Sequence, residues 1–220
     1  AFLKFNFSYN GGTAENPIDF PDLEAFGQNN YTKELQDLEC VINWLTTHQS
    51  TNSALDTNTI ILMGHSRGGG IALIKASEDS RIRKVITLAG VSDYKSRFPE
   101  KQALKAWASS GIYYVKNKRT QQQMPHGYQF YEDFIAHEER LTISKSVKGL
   151  QIPYLIVQGA EDKSVALSEA IALHEWSQYS TLYVVPKGSH VFGTRQPWDN
   201  PQIPTELEQV FIKTVDFINN

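Results

Sequence analysis

The chain has 220 residues, 40% of them hydrophobic and 20% charged, with 21 basic residues against 24 acidic ones for a formal net charge of -3. That balance belongs to a globular protein with a sizeable core and excludes a disordered tail, a disulfide-stapled miniprotein and a coiled coil; without a block of like charge, it also excludes a nucleic-acid surface. The longest apolar runs, Ile60 to Met63 and Val85 to Leu88, are strand-length, far short of the roughly 18 residues that cross a membrane.

The chain opens on Ala1 and an alternating stretch, Phe2 to Phe7, which reads as a strand. With no initiator Met and no signal-peptide pattern ahead of it, the expectation is a processed precursor or a record that begins partway into a domain. Leu35, Leu38, Ile42 and Leu45 recur at helical spacing, and Cys40, the only cysteine, is expected to be buried among them. A lone cysteine forbids an intramolecular disulfide and fits a reducing compartment, so a cytoplasmic location is expected.

A strand over Thr59 to Met63 leads into a helix carrying Ile71, Ile74 and Lys75, and Lys84 to Leu88 reads as the next strand. Nearly sixty residues, Ser92 to Leu150, then separate two strands that a simple crossover helix would join in about half that length. Seven aromatics fall between Trp107 and Phe134. This insertion is either a helical extension packing its own rings or a helical cap over a pocket. Tyr154 to Val157 and Thr181 to Val185 are further strands, with a helical pattern over Ala166 to Tyr179, and a last helix starts near Pro204-Thr205-Glu206. Strand, helix, strand predicts an α/β protein with a mostly parallel sheet flanked by helices. The expected organisation is one domain over 1–220, with the cap insertion at about 92–150.

Between the Thr59 strand and the helix after it stands Gly64-His65-Ser66-Arg67-Gly68, a G-x-S-x-G pattern. A serine on a tight strand-to-helix turn has its hydroxyl lifted above the sheet at a helix N-terminus, where backbone N–H groups can hold developing negative charge. A serine hydroxyl needs a base and an acid that orients the base. Of six histidines, His190 follows a strand by the short Pro186-Lys187-Gly188-Ser189 loop and is the candidate base. Asp162, after the Tyr154 to Gly159 strand, is the candidate acid; Asp93 is the runner-up and Glu161 third. No phosphate-binding loop occurs, and His137-Glu138 has Leu141 where a zinc helix needs a second histidine. No metal and no cofactor are expected.

With these residues in view, the sequence resembles the α/β-hydrolase superfamily. Phe5-Asn6-Phe7-Ser8-Tyr9-Asn10-Gly11-Gly12 is similar to its strand and glycine-containing loop upstream of the serine, Gln158-Gly159-Ala160-Glu161-Asp162 to its acid-bearing turn, and Gly188-Ser189-His190 to its histidine loop. Small esterases and dienelactone-hydrolase-like members are closest in character. The resemblance implies the α/β-hydrolase fold and a triad of Ser66, His190 and Asp162, with the Arg67 N–H in the oxyanion hole. Asn10 and Gly11 would shape the floor of the site, and His65, Trp107 and Tyr128 would line the pocket, with His65, which flanks the serine, alternatively packing or hydrogen-bonding locally.

The implied substrate is a small-molecule carboxylic ester, with a thioester or small amide next. A non-catalytic ligand-binding protein on the same fold is the alternative of another class. The resemblance further implies that N-terminal strands are missing from the record, because Phe2 to Phe7 matches the family's fourth strand. Some tens of residues before Ala1, or an unusual rearrangement of the sheet there, are therefore expected. Nothing in the pattern speaks to oligomeric state.

Overall fold

The structure is a computed structural model and describes residues 1–16, 19–48 and 56–220. Its elements run α1 (Leu23–Gly27), α2 (Tyr31–His48), β1 (Ile60–His65), α3 (Arg67–Glu78), β2 (Ile82–Leu88), α4 (Lys101–Ser110), β3 (Ile112–Lys116) and β4 (Gln123–Gly127). They continue through α5 (Gln129–Ala136), α6 (Glu138–Leu141), α7 (Ile143–Gly149), β5 (Tyr154–Gly159), α8 (Leu167–Trp176), β6 (Ser180–Val185) and α9 (Thr205–Asn219). They fall into two compact units, each made of two stretches of chain: Ala1–Asp56 with Lys95–Leu141, and Thr57–Tyr94 with Thr142–Asn220.

The second unit is a four-stranded sheet in the order β1-β2-β5-β6, every pair parallel. Parallel sheets are covered on both faces, so their strands read as unbroken apolar runs. Strand β5 is buried along its whole length. Successive side chains of a strand point to opposite faces; Leu155 and Val157 join Ile86, Ala89, Val185, Phe192 and the α9 residue Val210 in one core cluster. Helix α9 packs on β5 and β6, while α3, α7 and α8 pack on one another in sequence. The expected α/β architecture is thus present; the four strands and helices α3, α8 and α9 lie within a few residues of their sequence-based positions, whereas α7 falls in the stretch that was expected to belong to the cap insertion.

The first unit is organised around α2 and a cluster of aromatic rings. Tyr31, Leu35, Leu38 and Ile42 form the buried stripe of α2, with Glu34 also buried. Cys40 is exposed, against the expectation: it sits two positions from both Leu38 and Ile42, on the far side of a helix with 3.6 residues per turn. Phe98 lies 4.9 Å from Phe134 and 5.4 Å from Phe130, whose ring is 4.7 Å from Tyr31. The inserted aromatics therefore pack with the segment that precedes β1 and not only with each other. Polar links run the same way, from Thr32 Oγ1–H to Asp133 Oδ2 (2.9 Å) and from Asn30 Nδ2–H to Gln129 Oε1 (2.8 Å).

Two expectations fail in this unit. Strands β3 and β4 form an antiparallel hairpin inside the insertion that was expected to be helical. All five β3 residues are exposed, so no alternation of apolar and polar residues marked the strand. Phe2 to Phe7 forms no strand. A strand needs a neighbouring edge for its backbone groups, and among the described residues β1 pairs only with β2. Phe5 and Phe7 instead set their rings edge to face at 5.2 Å, and Ser8 donates from both its N–H and its hydroxyl to Asp37 on α2. No helix among the described residues is long and apolar enough to cross a membrane.

Candidate active site

Ser66, Asp162 and His190 all belong to the second unit, just beyond β1, β5 and β6. Because those strands are parallel, all three residues stand at one carboxyl edge, where open α/β sheets bind their ligands.

Ser66 joins β1 to α3 with φ 55° and ψ −122°, a conformation costly for any residue with a side chain. Its surroundings hold it there. The Ser66 N–H donates to the Leu88 carbonyl (2.9 Å), and its own carbonyl accepts from Gly69 (3.0 Å) and Val91 (3.2 Å). A Cβ at position 64 would lie 2.1 Å from the Gly68 oxygen, so this turn requires the motif's first glycine. Tyr94, fully buried, donates its hydroxyl to the Arg67 carbonyl at 2.8 Å and fills the space that a side chain at Gly70 would need. Such contacts offset the roughly 1 kcal/mol that each glycine costs a helix relative to alanine. The Ser66 side chain makes no capping bond to α3. Arg67 opens that helix, where first-turn N–H groups have no helical acceptor behind them and the dipole is positive.

His190 Nδ1 and Asp162 Oδ2 are 2.8 Å apart, with the Asp162 side chain wholly buried. The other carboxylate oxygen accepts from the backbone N–H groups of Ser164 (2.7 Å) and Val165 (2.9 Å). Burial alone would push this carboxyl up, but the Val165 and Ser164 amides and the His190 ring outweigh it and hold Asp162 below its ordinary 3.8. A carboxylate that accepts from Nδ1–H fixes the imidazole with its Nε2 lone pair outward. Asp162 thus partners His190, where the sequence left Asp93 and Glu161 open; Glu161 instead uses its backbone N–H to bind the Gly188 carbonyl at 2.9 Å. Among the described residues no hydrogen bond links Ser66 Oγ to His190 Nε2.

One contributor was not singled out from the sequence. Gln158 is completely buried at the end of β5, and its Nε2 donates to Asp162 Oδ2 (3.1 Å) and to the Val165 carbonyl (2.9 Å). Its only sequence signal was a polar residue at the end of a wholly apolar strand.

His65 lies beside the pair: its Nε2 is 2.8 Å from the His190 carbonyl oxygen, and the two rings are 4.7 Å apart. Loss of solvent around the ring, opposed by that hydrogen bond, holds His65 below its usual value. The remaining expected pocket residues belong to the first unit. Gly11 takes φ 82° in a turn where the Asn10 side chain accepts from the Gly12 N–H at 2.8 Å. Trp107 is buried in the aromatic cluster with its indole N–H on the His126 carbonyl, and Tyr128 meets it edge to face at 5.6 Å. Tyr128 also borders an open groove of about 600 Å³ between α1 and the hairpin.

A parallel sheet with helices on its faces and this arrangement at its carboxyl edge define a protein of α/β-hydrolase type, and solved structures of that fold match most of the chain. Est1E from Butyrivibrio proteoclasticus, with ferulic acid bound, is 19% identical at a TM-score of 0.63, the match covering 89% of this chain and 72% of that one. A Paleococcus ferrophilus monoacylglycerol lipase is 13% identical at 0.60, covering 88% and 77%. The esterase domain of a Rhodothermus marinus protein is 16% identical at 0.53, covering 87% and 68%. No curated protein sequence matches the chain. The sequence model of the BD-FAE family matches residues 21–177, and the chain belongs to that family, within the α/β-hydrolase superfamily.

Proposed function

We propose that the protein is a serine hydrolase of carboxylic esters, with Ser66 as nucleophile, His190 as base and Asp162 as the group that orients His190. The observation that carries this reading is the buried Asp162 carboxylate on His190 Nδ1, at the same sheet edge as a serine in a strained strand-to-helix turn.

In the proposed reaction, His190 Nε2 takes the Ser66 hydroxyl proton as Oγ attacks the acyl carbonyl. The Arg67 N–H, at the start of α3, holds part of the negative charge on the former carbonyl oxygen. His190 returns the proton to the leaving alkoxide, and a water activated by the same imidazole releases the acid from Ser66. The bond from Ser66 Oγ to His190 Nε2 must close when substrate arrives, as such contacts commonly do. Asp162 stabilises the imidazolium without itself taking the proton.

The test is labelling by a serine-directed fluorophosphonate together with turnover of p-nitrophenyl esters of graded chain length and of methyl ferulate. A single adduct on Ser66, with turnover lost in Ser66→Ala, is expected. A protein that neither labels nor turns over any ester, yet binds one, would be a non-catalytic ligand-binding member of the fold.

A further inference from the structure

Strands β1 and β6 lie at opposite edges of the sheet, three strand spacings or roughly 14 Å apart. The residue after β1 is Ser66, and His190 is carried by the loop after β6. His190 must therefore be held across the ends of β2 and β5 if it is to serve Ser66. At its root the loop is fixed by the turn after β5, where the Glu161 N–H donates to the Gly188 carbonyl at 2.9 Å, and by the end of β6, where the Gly188 N–H donates to the Val185 carbonyl at 3.1 Å. The His190 ring is fixed by Asp162. These anchors stand at the ends of β5 and β6, and none of them ties the His190 backbone to the turn that carries the serine.

That tie is supplied by His65, the last residue of β1 and the neighbour of Ser66. Its Nε2 meets the His190 carbonyl oxygen at 2.8 Å. A carbonyl can only accept, so the proton is on His65 Nε2. The His65 ring lies against the His190 ring, with centroids 4.7 Å apart and planes inclined by 46°. Polar contact and ring contact thus both bear on one residue.

We infer that His65 is a positioning residue: its Nε2–H···O=C bond to His190 ties the backbone of the base to the end of the nucleophile's own strand and sets where His190 Nε2 stands relative to Ser66. The inference rests on the proposed roles of Ser66 and His190. Glutamine can present an amide N–H near the same place, whereas leucine fills similar space with no donor. His65→Leu therefore lowers kcat by about 10- to 100-fold with KM within about twofold, as expected when reacting groups are misplaced by an ångström or less. His65→Gln recovers most of the lost turnover.

The decisive readout does not depend on turnover. In protein labelled with nitrogen-15 at histidine, NMR reports the Nε2–H tautomer of His65 and the Nδ1–H proton that His190 shares with Asp162. His65→Leu shifts and broadens that His190 signal, and His65→Gln restores it. An unmoved His190 signal in His65→Leu with kcat at the wild-type level overturns the inference, as does a His65→Gln protein impaired as deeply as His65→Leu. If Ser66→Ala keeps full ester turnover, the hydrolase reading fails, and the His190 signal still decides whether His65 holds the loop.

Discussion

At the scale of single residues, the Asp162 carboxylate gathers four hydrogen bonds. It accepts from two backbone amides, the Gln158 side chain and His190, and all of these favour its charged form. Asp162→Asn puts an NH2 group where donors converge, leaving His190 free to adopt the wrong tautomer. On the proposed mechanism, kcat falls by roughly 10³- to 10⁴-fold, measured with a p-nitrophenyl ester. The same carboxylate contributes to stability with a defined pH dependence. Because folding lowers its value from 3.8, the contribution is complete above that pH and is lost as pH falls below it. Urea unfolding of wild type and Asp162→Asn should differ by a constant amount above about pH 5 and converge below about pH 4. A gap that widened on acidification would contradict the direction of the shift.

At the scale of elements, the site depends on backbones that approach more closely than a side chain allows. A Cβ at Gly159, the last residue of β5, would stand 2.2 Å from the Gly188 oxygen and 2.8 Å from that of Ser189, so it would push directly on the loop that carries His190. Gly159→Ala is expected to cost about 1–3 kcal/mol in denaturant unfolding and to reduce kcat by about 10- to 100-fold. Gly149, at the end of α7, would meet nothing within 4 Å. There the same substitution adds up to about 1 kcal/mol of stability, because alanine is the better helix former. Both are single Gly→Ala changes, so opposite signs would show that contact at the site, rather than glycine content, decides the outcome.

At the scale of the whole molecule, the order of segments along the chain differs from their grouping in space. The first unit joins residues from before β1 to residues from after β2, and Asp133 of α5 accepts from the Thr32 hydroxyl and N–H at the start of α2. A remote carboxylate thus does the work of a helix N-cap. Asp133→Ala should lower the unfolding free energy by about 1–2 kcal/mol, with ester turnover at low temperature unaffected. A variant as stable as the wild type would show that the aromatic cluster alone joins the two stretches.

The parallel sheet, the strand-serine-helix turn and the chain order Ser66, Asp162, His190 were all legible from the sequence, because periodicity and turn chemistry are local properties. Ser66 could be read because Gly64 and Gly68 flank it between an apolar strand and a helix. Tertiary structure alone decided that Gln158 supports the Asp162 carboxylate and that His65 reaches the His190 backbone. It also placed Cys40 outside the buried stripe and left Phe2 to Phe7 without a strand partner. Asp162 is 28 positions from His190, and His65 is 125 positions from it. Local pattern carries no information about such distances; they are set when β1, β5 and β6 end at one edge and their loops are packed across it.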